Sequence, residues 1–124
     1  MTGDEEQARR VVLDAAREFN GGRYFEAHEV LEEALDDVPD ALWPLFLGLI
    51  QVAVGYHKLA SGFDGAARML EIGLEKLAPL PDDVLGIALG ALRARAAADL
   101  TQLRSGGAER IDLHGAPPRL LPSG

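Results

Sequence analysis

Cysteine is absent from the 124 residues, which removes disulfides and thiolate metal sites and fits a reducing, cytoplasmic setting. Basic residues are scarce: 12 Lys and Arg stand against 20 Asp and Glu, a net charge of −8. Phosphate binding needs a concentrated basic surface, so this balance argues against a nucleic-acid partner. Val, Ile and Thr are outweighed by Ala and Leu, which favours helices over sheet. The first twenty residues place Asp4, Glu5 and Glu6 ahead of any apolar run, without the basic start and apolar centre of a secretion signal. No Ser or Cys nucleophile motif points to acyl transfer. No glycine-rich phosphate loop is expected, because no strand is expected for it to follow.

What is present suits one domain with a real core, at 48% apolar residues. The acidity is lopsided. Residues 1–62 hold twelve acids and five bases, and residues 63–124 hold eight and seven, which reads as a solvated acidic face.

Five helical segments are predicted. The first runs from about Asp4 to Phe19, with Ala8, Val12, Ala15 and Phe19 on one face, and stops at Asn20-Gly21-Gly22. The second runs from Tyr24 to Val38, ahead of Pro39. Asp40 is placed to cap the third, which holds Pro44 in its first turn and continues to about Ala60. Asp64 is placed to cap the fourth, with Ala67, Leu70, Leu74 and Leu77 inward. Past Pro79 and Pro81, Asp82 or Asp83 starts a long fifth helix through Leu85, Leu89, Leu92, Ala96 and Leu103, closed by Gly106-Gly107. The expected fold is all-α: a compact, mostly antiparallel bundle of about five helices over residues 1–105, built from two hairpins plus a capping helix. Tyr24, Ala27, Leu31, Leu35 and Val38 align with Phe63, Ala66, Leu70, Leu74 and Leu77 at an offset of 39, one set per hairpin. Residues 106–124 show no period and form an irregular tail that drapes over the bundle or is disordered. The core is expected to include Val12, Phe19, Tyr24, Leu31, Leu35, Leu49, Ile50, Ala53, Leu70, Leu74, Leu89 and Leu92.

The stretch 42–59 is apolar around most of its circumference and long enough to raise a membrane span. Pro44, Gly48, Gln51, Gly55 and His57 interrupt it and no basic flank precedes it, so a central core helix is expected instead. Gly48, Gln51, Gly55 and Lys58 share one stripe, where another helix can approach closely. That helix belongs either to this chain or to a second copy, and with exposed apolar helix faces the stripe suggests a homodimer.

The chemistry-bearing residues concentrate at His28, Glu29, Glu32 and His57. On a helical wheel, His28 sits at the edge of the apolar arc of the second helix, with Glu32 one turn on. His57 falls with Phe46, Ile50 and Ala53, opposite the glycine stripe, which places it in the core. Pairing of the second and third helices across Pro39-Asp40 brings His57 nearest Tyr24 and His28, with Glu32 or Glu29 completing the set. Three readings follow. The histidines are structural, bonded to Glu29, Glu32, Tyr24 or backbone carbonyls. Alternatively, His28, Glu32 and His57 ligate a divalent metal such as zinc, with Glu29 as general base. In the third reading, a Glu–His pair performs acid–base chemistry without metal. A binding or scaffolding module with no catalysis is the competing class.

The run from Phe19 to Glu33, with Tyr24-Phe25-Glu26-Ala27-His28-Glu29 at its centre, is followed by Gly48-Leu49-Ile50-Gln51, His57 and Gly62-Phe63-Asp64-Gly65-Ala66-Ala67. This pattern resembles domain-of-unknown-function family 309, small helical proteins of bacteria and archaea, over roughly residues 10–78. The resemblance implies an all-helical fold and a shared site at His28, Glu29, Glu32, Gln51 and His57. Members are sometimes labelled metal-dependent hydrolases. Leu35 stands where the family usually carries Trp, and Trp43 is placed to refill that space. The expectation is a soluble helical protein with a buried His/Glu cluster, structural or binding in role, the alternative being a hydrolase-like site at His28, Glu32 and His57.

Overall fold

The computed structural model describes residues 3–123. Five helices make up the bundle: α1 (Gly3–Asn20), α2 (Tyr24–Ala34), α3 (Trp43–Ser61), α4 (Ala66–Leu77) and α5 (Leu89–Arg104). The fold is all-α apart from one small hairpin. In α1 the first-turn acids Asp4, Glu5 and Glu6 oppose the positive end of the helix dipole, while Ala8, Val12, Ala15, Ala16 and Phe19 are buried. α2 stops short of the predicted Val38. Residues Leu35–Asp37 tighten into a 3-10 turn, and Val38, which precedes Pro39, is extended, as proline demands of its predecessor. Asp40 does not cap a helix but opens a second 3-10 turn, Asp40–Leu42; Pro44 lies in the first turn of α3, where its missing N–H is harmless. The cap of α4 is Gly65 rather than Asp64.

α3 is the central element, packing on α2 on one side and most extensively on α4 on the other. Its glycine stripe receives α4 of the same chain. A Cβ on Gly48 would fall 2.5 Å from Leu77 Cδ2, and one on Gly55 2.8 Å from Leu70 Cδ2; one on Gly73 would fall 2.9 Å from the Gly48 carbonyl oxygen. The two backbones therefore touch, and no second copy can use the stripe. Lys76 Nζ donates to Gln51 Oε1 at 2.9 Å across the same interface. At the far end of α4, Arg93 Nη1 donates to the carbonyls of Leu77 (2.9 Å) and Leu80 (2.7 Å) and its Nη2 pairs with Asp82, which satisfies helix-end acceptors.

The fifth helix begins at Leu89, not at Asp82 or Asp83. The intervening residues form an antiparallel hairpin, β1 (Asp83–Val84) and β2 (Ile87–Ala88). Its two-residue turn places both Leu85 (φ 49°) and Gly86 (φ 77°) in the left-handed region, the conformation that matches strand twist. The tail then adds to this hairpin: Ala88 N–H donates to Leu121 O and Ser123 N–H to Gly86 O, both at 2.8 Å. Asn20, at the end of α1, grips Leu120 with both ends of its amide: Nδ2 donates to Leu120 O at 3.0 Å, and Leu120 N–H donates to Oδ1 at 2.7 Å. Leu120 plugs a hollow between Phe19, Ala27, Leu31, Leu49 and Leu92, leaving a void of only about 10 Å³.

Most of the expected core is buried; Leu35, Ile50 and Leu74 are half-buried instead. Among the described residues no helix is long and apolar enough to cross a membrane.

Candidate functional site

α2 and α3 bring His28 and His57 to one surface. The ring of Phe25 lies between them, 5.0 Å from the His28 ring and 5.1 Å from the His57 ring, and Phe63 packs edge-on to His57 at 6.0 Å. This makes a continuous ridge, Phe63–His57–Phe25–His28. Its two phenylalanines stay in water, 59% and 44% exposed. His57 is thus half-exposed rather than in the core. The core position goes to its neighbour Tyr56, which is fully buried. Tyr24 faces inward with Tyr56 and is not the contact of His57. Around nearly all of α3 the sequence is apolar, so the wheel gave no sharp phase, and one residue shifts the direction by about 100°.

His28 is engaged at both nitrogens. Nε2 lies 2.7 Å from Glu32 Oε2 and Nδ1 lies 3.0 Å from the Phe25 carbonyl. Both neighbours are hydrogen-bond acceptors. Glu29, Glu32 and Glu33 join His28 around an open groove of about 430 Å³. Gln51 does not reach this surface, because Lys76 holds it against α4. Phe25 separates the two imidazoles, Glu32 already holds His28, and among the described residues no group of three His, Asp or Glu is placed to hold an ion.

A second polar cluster lies inside. Tyr56 O–H donates to Asp99 Oδ2 at 2.5 Å, and Arg95 Nε donates to the same oxygen at 2.8 Å. Asp99 is only 6% exposed. Tyr24 stacks 5.6 Å from Tyr56, and Phe19 meets both rings edge-on at 5.2 and 5.8 Å. The Tyr24 hydroxyl is buried, without a hydrogen-bond partner among the described residues. Burial, then the bond to Asp99 and its charge, push the Tyr56 hydroxyl far above its ordinary range; burial raises that of Tyr24 too, against an opposing pull from Arg95. Sequence reasoning missed this network, although Arg95 and Asp99 at i and i+4 in an alanine-rich helix were the available signal.

Residues 12–70 match the family described as Domain of unknown function (DUF309). Over these residues the chain is a DUF309 domain. The ridge residues Phe25, His28, His57 and Phe63 and the buried Tyr24 and Tyr56 all fall inside the DUF309 span, whereas Arg95, Asp99 and the tail fall outside it. The chain is also similar to an uncharacterised protein of Aquifex aeolicus (strain VF5), 32% identical over 94 residues that make up 68% of this chain and 26% of that protein. It therefore spans about a quarter of that relative's length.

Proposed function

We propose that this DUF309 chain is a binding module and that the Phe25–His28–His57–Phe63 ridge takes a polypeptide segment carrying Lys or Arg beside an apolar residue. The observation that carries this reading is the contiguity of two solvent-exposed phenylalanines through an imidazole, flanked by Glu29, Glu32 and Glu33. Single exposed apolar side chains are ordinary, but a joined apolar patch with a charged rim is the form of an interaction surface. The Aquifex relative, of which this chain matches only about a quarter, is consistent with a domain that works beside others. Self-association through the ridge, the homodimer expected above, would set like carboxylates against each other and is the weaker reading. The hydrolase reading is weaker still, because Phe25 packs against both imidazoles and Glu32 already pairs with His28.

The test is fluorescence anisotropy with a dye-labelled Arg/Leu peptide against its Glu/Leu counterpart. The expected result is salt-sensitive binding of the cationic peptide only, weakened at least about tenfold by Phe25→Ala with Phe63→Ala. Equal binding of both peptides, or no effect of the double variant, would overturn the proposal. Light scattering on the same samples detects a dimer.

A further inference from the structure

α5 and the tail enclose a second groove, of about 330 Å³, lined by Arg95 and Arg119 and walled by Ala91, Pro117, Leu121 and Pro122. Arg95 is built into it from beneath. The carboxylate of the buried Asp99 holds its Nε, and Tyr56 holds that carboxylate in turn. Withdrawing a carboxylate from water costs several kcal/mol, and the attraction to its partner only offsets this, so a buried pair adds little net stability. What it does provide is orientation. Among the described residues no hydrogen bond is made by the two terminal nitrogens of Arg95. Arg119 makes neither a hydrogen bond nor an ion pair among them, and its backbone is fixed on both sides: Pro118 is fully buried and Leu120 is clamped by Asn20. Asp112 also lies within reach of the Arg95 charge. Its carboxylate is turned to the N–H groups of His114 and Gly115. Two guanidinium groups with free donors thus line one groove, in a molecule of net charge −8.

We infer that this groove binds a small organic anion. The head is a carboxylate or phosphate, either of which accepts paired N–H donors from arginine. The body is apolar, matching the proline, alanine and leucine walls. The residues involved are separate from the ridge, so the two proposals stand or fall apart.

The test is an amide NMR titration of the full chain, at low salt, with hexanoate, hexyl phosphate, inorganic phosphate and hexylammonium. Hexanoate or hexyl phosphate should give saturable shifts centred on Ala88, Ala91 and Leu121, and the tighter of the two identifies the head group. Inorganic phosphate, lacking the body, should bind more weakly, and hexylammonium should give none of these shifts. Arg119→Ala, at an exposed position, should weaken binding at least about tenfold with thermal unfolding unchanged. It carries the test if Arg95→Gln fails to fold. Shifts that never saturate, equal shifts with hexylammonium, or wild-type affinity in Arg119→Ala would overturn the inference.

Discussion

Tyr56 shows what one hydroxyl does in an apolar interior. Phe at this position would fill the same space but leave Asp99 with Arg95 alone. Tyr56→Phe should therefore cost about 1–3 kcal/mol near neutral pH, measured by urea unfolding. The pH dependence has a definite sign. Both hydroxyls are raised in the folded state above the ordinary value of 10.0, so the native protein keeps protons that the unfolded chain gives up. Their contribution is complete below about pH 10 and is lost as pH rises beyond it. Tyr24 and Tyr56 are the chain's two tyrosines, so the ultraviolet absorbance of tyrosinate reports on this cluster alone. The native protein should titrate at higher pH than the urea-unfolded chain, and Tyr56→Phe should flatten the alkaline loss of stability. Coincident native and unfolded titration curves would contradict the geometry. At this scale the sequence was legible where a local rule applied: His28 and Glu32, one turn apart, do pair. It was illegible where direction mattered, since in a helix apolar on nearly every side nothing distinguished Tyr56 from His57 as the inward residue.

At the scale of elements, the interface of α3 and α4 is set by absent side chains. Gly73→Ala would drive a methyl against the Gly48 carbonyl and the Val52 backbone nitrogen, 2.9 and 3.1 Å away, and backbone cannot swing aside as a leucine side chain can. A loss of about 1–3 kcal/mol is expected from calorimetry, and a neutral result would mean that the helices are further apart. The internal offset was legible and proved structural. Ala27 and Ala66, Leu31 and Leu70, and Val38 and Leu77 are buried in both hairpins, and Leu35 and Leu74 are half-buried in both. Only the leading aromatics part company, Tyr24 going inward and Phe63 out to the ridge. The β1–β2 hairpin was hidden because Leu85, Leu89 and Leu92 keep helical spacing, and because Leu85, an unusual occupant of a left-handed turn position, gives no turn signal.

For the whole molecule, the bundle was legible from its period, whereas the tail was legible only as two alternatives, draped or disordered, because its order comes from distant partners. Leu120 is 4% exposed in a region without any pattern, and its hollow is assembled from α1, α2, α3 and α5. Leu120→Ala should cost about 2–5 kcal/mol, measured by denaturant unfolding. A loss under about 0.5 kcal/mol, the scale of a surface change, would show that the tail merely rests on the bundle.

The Asn20–Leu120 clamp joins positions 100 residues apart. On a ribosome adding roughly 5–20 residues per second, about 5–20 s separate the emergence of its two halves. Until Leu120 emerges, Phe19, Leu31 and Leu49 lack the side chain that fills the hollow between them in the folded chain. The finished protein buries this surface, but during its synthesis the same surface is the natural target for a chaperone or for a neighbouring copy.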